Sequence, residues 1–90
     1  MAGGAARMDF LLKRERVVVE TKMARAGHTA KKIGDELLMD IGRYQQHQDC
    51  RTLVCFIYDP LGVVANPRGV EHDLTREHGE LRVAVLIRPS

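Results

Sequence analysis

The stretch that decides the fold is Arg7-Met8-Asp9-Phe10-Leu11-Leu12-Lys13, a charged break at Arg14-Glu15, and Arg16-Val17-Val18-Val19-Glu20-Thr21-Lys22. Two apolar runs about a short break are the pattern of a β-hairpin, although this break lacks the favoured Asn-Gly chemistry. Centring the hairpin between Arg14 and Glu15 sets Asp9 opposite Glu20, with both side chains leaving the same face. Leu11, Val18 and Lys22 share that face. Phe10, Leu12, Val17 and Val19 fill the other, where a helix is expected to cover them. A bulge would shift the register by one residue and send each side chain to the opposite face.

Downstream, Gly27-His28-Thr29 opens a helical segment with Thr29 as N-cap. Ala30, Ile33, Leu37, Leu38, Ile41 and Tyr44 recur at three and four residues and form one apolar stripe. Lys32, Asp35, Glu36 and Arg43 lie on the opposite side. Gly34 and Gly42 cost a helix about 1 kcal/mol each, and close packing against a sheet would account for them. The helix should fade near His47. Thr52 to Tyr58 is nearly all apolar, the pattern of a strand covered on both faces. Asp59-Pro60-Leu61-Gly62 is a turn. Asn66-Pro67 starts a short helix that is expected to run to about Glu77 and end at Gly79. Leu81 to Ile87 is a last strand, stopped by Pro89. The order is ββαβαβ, an α/β domain with a mixed β-sheet flanked by helices. Residues 1–6 read as a flexible lead-in, and residues 7–90 as a single domain.

Ninety residues, 44% hydrophobic and 29% charged, make one small globular domain and exclude a disordered chain. Such a chain buries only about 60–65% of its unfolded surface, a thin margin that a dimer or a larger host protein would relieve. Aromatic residues are 4% with no Trp, which argues against a base-stacking platform for single strands. No apolar run reaches membrane-spanning length, and Met1 to Ala6 lacks the features of a signal peptide. Two cysteines provide no disulfide framework, so a reducing, cytoplasmic location is expected. A zinc site from Cys50, Cys55, His72 and His78 is disfavoured, because the spacing is not CxxC and Cys55 lies within a strand. Residues 1–32 carry eight Lys/Arg against three acids, whereas residues 33–90 carry six against nine. A basic half suits a polyanion, since Lys and Arg at phosphates release counterions; a lopsided solvated surface gives the same count.

Facing carboxylates on neighbouring strands repel, so a protein that keeps them is expected to use them, sharing a proton or holding a cation. Oxygen ligands in this arrangement suit Mg²⁺, which takes one or two carboxylates and keeps waters and substrate phosphates elsewhere. Lys22 beside it could orient or deprotonate an attacking water, or stabilise charge in the transition state. The composite is a site for metal-assisted phosphodiester hydrolysis.

Asp9 followed after a strand turn by Glu20-Thr21-Lys22 resembles the PD-(D/E)XK signature of restriction-endonuclease-like nucleases, and the later helix, strand, helix and strand are similar to that fold's order. The resemblance implies that Asp9 and Glu20 bind Mg²⁺, with Mn²⁺ able to substitute. It further implies the Thr21 main-chain carbonyl as a ligand, Lys22 as the catalytic lysine, and DNA as substrate with RNA left open. Met8 stands where the signature has Pro, and Thr21 where an apolar residue is usual. Some members carry Gln-x-x-x-Tyr on the next helix; Asp40-Ile41-Gly42-Arg43-Tyr44 occupies that place, so only Tyr44 carries over. Arg43 is read as a phosphate contact, with Arg25, Lys31 and Lys32 as further contacts and His28 beside them at the helix start. Asp35 and Asp40 are read as helix-surface charges. The family core usually begins with a helix and a strand before the Asp-bearing hairpin. Here the expectation is therefore a fragment of a longer protein, or a minimal domain completed by homodimerisation through the sheet edge. A non-catalytic nucleic-acid-binding or interaction domain of the same fold is the alternative, and a charged edge hairpin that merely discourages aggregation is the plainest reading.

Overall fold

In the computed structural model, which describes residues 7–89, the chain builds a five-stranded mixed sheet and two helices. The elements are β1 (Arg7–Leu12), β2 (Val17–Met23), α1 (Ala30–Gln45), β3 (Thr52–Tyr58), α2 (Pro67–Leu74), β4 (Glu77–His78) and β5 (Leu81–Arg88). The lead-in expected at residues 1–6 lies outside the described residues. Strand order is β1-β2-β3-β5-β4.

The hairpin holds the register expected of it, with Asp9 paired to Glu20, Leu11 to Val18 and Arg7 to Lys22. Its loop closes without glycine: Arg16 takes the left-handed conformation (φ 60°) and its N–H donates to the Lys13 carbonyl. The Arg16 carbonyl then accepts from Arg51 N at 2.8 Å and Thr52 N at 3.1 Å, which anchors the start of β3 against the hairpin.

Strands β2, β3 and β5 run parallel, and α1 connects the first two. One face of the sheet carries Val18, Leu53, Cys55, Ile57, Val83, Val85 and Ile87, all buried in a single core with Ile33, Leu37, Ile41 and Tyr44 of α1. Thr29 caps that helix by accepting from Lys32 N. Two expectations are corrected here. The helix covers the face that bears Glu20 and Lys22, not the face of Phe10, Leu12, Val17 and Val19. Strand β3 is also not covered on both faces among the described residues: Val54 and Phe56 are half-buried and Tyr58 is exposed. An unbroken apolar run states that a strand is hydrophobic on both sides, and not which side receives the helix.

Neither Gly34 nor Gly42 marks a close approach, since a Cβ at either would meet nothing within 4 Å. The second helix is shorter than the sequence suggests. It ends at Leu74, and Glu77-His78 forms the short strand β4 against β5, with Gly79 (φ 65°) in the turn between them. The reason lies in side chains that serve the sheet. Past β4, the outer backbone groups of β5 are taken up from α2 and its cap. Thr75 Oγ1 accepts from Val85 N at 2.9 Å, Glu71 Oε2 accepts from Ile87 N at 2.6 Å, and Arg68 donates to the Ile87 carbonyl at 2.8 Å. Backbone groups that would otherwise be unpaired at an edge are thereby satisfied.

Candidate functional site

The alternation of β2 sends Glu20 and Lys22 to the α1 side of the sheet, while Thr21 between them turns to the other side. In the ladders Glu20 stands between Asp9 of β1 and Cys55 of β3, and Lys22 is paired to Ile57. Glu20 is only 1% exposed, a carboxylate set into an otherwise apolar surface. Burying a charge costs free energy unless opposite charges and hydrogen bonds compensate it. Part of that compensation comes from α1. Arg43 Nη2 lies 3.4 Å from Glu20 Oε2 and 3.1 Å from Asp40 Oδ1.

Lys22 is held from the same helix. Its Nζ donates to Asp40 Oδ2 at 3.0 Å and to Glu36 Oε1 at 3.2 Å. Burial by itself would lower the Lys22 pKa, but the hydrogen bonds and charges of Asp40 and Glu36 outweigh it and leave it above the usual lysine range. The amine is accordingly an ammonium, a donor of hydrogen bonds and not a base. Glu36 continues the chain to His28, whose Nε2 is 3.4 Å from Glu36 Oε2. Because His28 Nδ1 accepts from Arg25 N at 2.9 Å, the ring proton sits on Nε2, toward Glu36. Lys22, Glu36, Met39, Asp40 and Arg43 line a hollow of about 460 Å³ open to solvent.

Of the residues singled out from the sequence, the structure gathers Glu20, Lys22 and Arg43, with Asp9 placed by its backbone directly across from Glu20. Thr21 is paired in both ladders, to Met8 and to Phe56. Arg25 and Lys32 are exposed beside the first turn of α1. Lys31 is exposed and ion-paired to Asp35 at 2.9 Å. Tyr44 does not face the hollow; it belongs to the core, with Arg43 Cζ 5.2 Å from its ring centroid and His47 alongside. Asp40 is not a helix-surface charge, being 5% exposed and bonded to both site cations. Its signal was in the spacing: Ile33, Leu37, Asp40 and Tyr44 follow the three-and-four rhythm of the buried stripe, so Asp40 occupies a core position. Glu36 and His28 had no comparable signal, since their roles depend on how the 24–29 loop returns over β2. Cys50 and Cys55 are buried and form no disulfide, and no cluster of three or more His, Cys, Asp or Glu arranged for a metal occurs among the described residues.

Glu20 supplies buried carboxylate oxygen of the kind a hard divalent cation takes, the register sets the Asp9 backbone across from it, and the Arg43 guanidinium lies at Glu20 Oε2, where such a cation would have to displace it. No helix among the described residues is long and apolar enough to cross a membrane. In comparisons with known proteins, the family model described as REase_DpnII-MboI matches residues 1–90. No curated protein and no solved structure matches the chain.

Proposed function

Since the chain belongs to the DpnII-MboI restriction endonuclease family, we propose that it hydrolyses DNA phosphodiester bonds at the hollow between β2 and α1, by the PD-(D/E)XK mode of action. The observation that carries this reading is the register of the hairpin: Asp9 faces Glu20, and Lys22 shares the Glu20 face beneath α1. The five-stranded mixed sheet with two helices is consistent with the restriction-endonuclease-like fold.

Asp9 and Glu20 are the residues that would hold Mg²⁺ or Mn²⁺, with the Thr21 carbonyl as a further donor. Such an ion activates water and offsets charge on the phosphate oxygens when bound. The protein's own groups do the remainder. Lys22, kept as an ammonium by Asp40 and Glu36, orients the attacking water and stabilises negative charge as it grows on the phosphoryl oxygens. Its two carboxylate partners argue against its taking the proton from that water. Arg43, about half exposed at the lip of the hollow, is suited to grip a backbone phosphate. Arg25, Lys31 and Lys32 extend the positive surface along the first turn of α1 and would contribute salt-dependent, sequence-independent affinity.

The test is cleavage of supercoiled, linear and branched DNA with Mg²⁺ or Mn²⁺, wild type beside Glu20→Ala and Lys22→Ala, and EDTA as control. Metal-dependent cleavage that Glu20→Ala abolishes and Lys22→Ala reduces to a small but measurable rate is expected. A folded, metal-binding wild type that binds DNA without cutting it would instead favour the non-catalytic module.

A further inference from the structure

We propose that Asp40 is the positioning residue of this site: one carboxylate on α1 that fixes both Lys22 and Arg43 before DNA arrives. The inference rests on the nuclease reading above and extends it to a residue on the helix, outside the hairpin motif.

Three observations support it. Asp40 occupies a position of the buried stripe where an apolar side chain would complete the contact between α1 and the sheet, yet it carries a charge at 5% exposure. A buried carboxylate in a core position is expensive unless opposite charges compensate it, and here the compensation is the two site cations. Its two oxygens are divided between the two site cations, Oδ2 taking Lys22 at 3.0 Å and Oδ1 taking Arg43 at 3.1 Å. Finally, the second partner of Lys22, Glu36, is 42% exposed and also engaged with His28, so it is the looser of the two holds.

The chemistry follows from the length of the lysine side chain. A free Lys samples many rotamers, and ordering it at the moment of reaction costs conformational entropy. A carboxylate fixed on a helix, reaching the amine from across the hollow, orders it in advance. Arg43 gains likewise: it is tied to Asp40 more closely than to Glu20, so a cation that takes over Glu20 leaves Arg43 still anchored and directed at the hollow. Partners of this kind typically matter by about 10–100-fold.

The experiment uses Asp40→Asn, which keeps shape and an acceptor but loses the charge, and Asp40→Leu, which completes the apolar stripe and keeps the test decisive where the Asn variant folds poorly. Each is made in wild type and in Lys22→Ala, with folding checked by circular dichroism. Expected are a fall in kcat of about tenfold or more at saturating DNA, a smaller change in KM, and no further fall when Asp40 is replaced in the Lys22→Ala background. If wild type cuts, Lys22→Ala is impaired, and folded Asp40 variants keep wild-type kcat, the Asp40 proposal alone is overturned. An equal loss in both backgrounds also overturns it, because Asp40 then acts on stability and not through Lys22. If wild type does not cut in the presence of metal, the nuclease reading fails and the Asp40 role falls with it.

Discussion

Glu71 is the fastening of α2 to the sheet, and its removal has a calculable effect. Its Oε2 accepts from Ile87 N at 2.6 Å and from Arg88 Nη1 at 2.6 Å, while Oε1 meets Arg68 at 2.9 Å. Glu71→Gln keeps a carbonyl for the Ile87 N–H but removes the charge. Replacing a charge-assisted hydrogen bond with a neutral one costs about 1 kcal/mol. The two arginines are half exposed, so each pair adds only about 0.5 kcal/mol. The variant should therefore lose about 2 kcal/mol at neutral pH, seen as a fall in Tm of about 8–16 °C for a domain of this size. The pH dependence carries an independent sign. Burial by itself would raise the Glu71 pKa, but the Ile87 N–H and the Arg88 and Arg68 guanidinium groups outweigh it and hold it below the ordinary carboxylate value of 4.5. A lowered folded-state pKa stabilises the protein above the unfolded value, and that contribution is lost as pH falls through the folded one. Urea unfolding of both proteins between neutral and acid pH should show the wild type losing more stability below about pH 4.5, so that the two curves converge. A Gln variant within about 0.5 kcal/mol of wild type at pH 7, or a gap that widens in acid, would refute the latch.

The helix glycines give a test with the opposite sign. Gly34→Ala and Gly42→Ala each add a Cβ that meets nothing within 4 Å, and each should raise stability by about 0.8–1 kcal/mol in thermal melts. Gly69→Ala should be close to neutral, because its Cβ would collide with the Asn66 side-chain amide and dislodge the N-cap of α2, losing about 1 kcal/mol where helix propensity gains about as much. Asp59→Ala should cost about 2–4 kcal/mol by chemical denaturation, since the buried Asp59 accepts from both Val63 N and Val64 N in the loop after β3. With DNA in place, Arg43→Ala should weaken binding and flatten its dependence on salt by about one counterion, measured by fluorescence anisotropy with Ca²⁺ in place of Mg²⁺.

Within the described residues, the local sequence sufficed for the hairpin and, given a loop without a bulge, for the pairing of Asp9 with Glu20, because strand side chains alternate strictly. It likewise determined α1, whose stripe from Ile33 to Tyr44 and whose Thr29 cap are local features of the chain. The nuclease resemblance drawn from those residues agrees with the family match over residues 1–90. What tertiary structure alone decided is which face of the sheet α1 covers, and everything that choice brings to Glu20 and Lys22. Val18 and Val19 are equally apolar, so no local pattern states which of them faces the helix; packing of the whole layer settles it. Once α1 lies over Glu20, the Asp40 carboxylate, which the spacing already places on the buried stripe, becomes the partner of Lys22 and Arg43. The end of α2 was hidden for a related reason. Leu74, Thr75 and the short strand β4 are placed by hydrogen bonds to the edge of β5, which lies later in the chain and is brought alongside only when the sheet forms. Local periodicity reads a face and a turn, whereas the partners of a charge are set by segments distant in sequence.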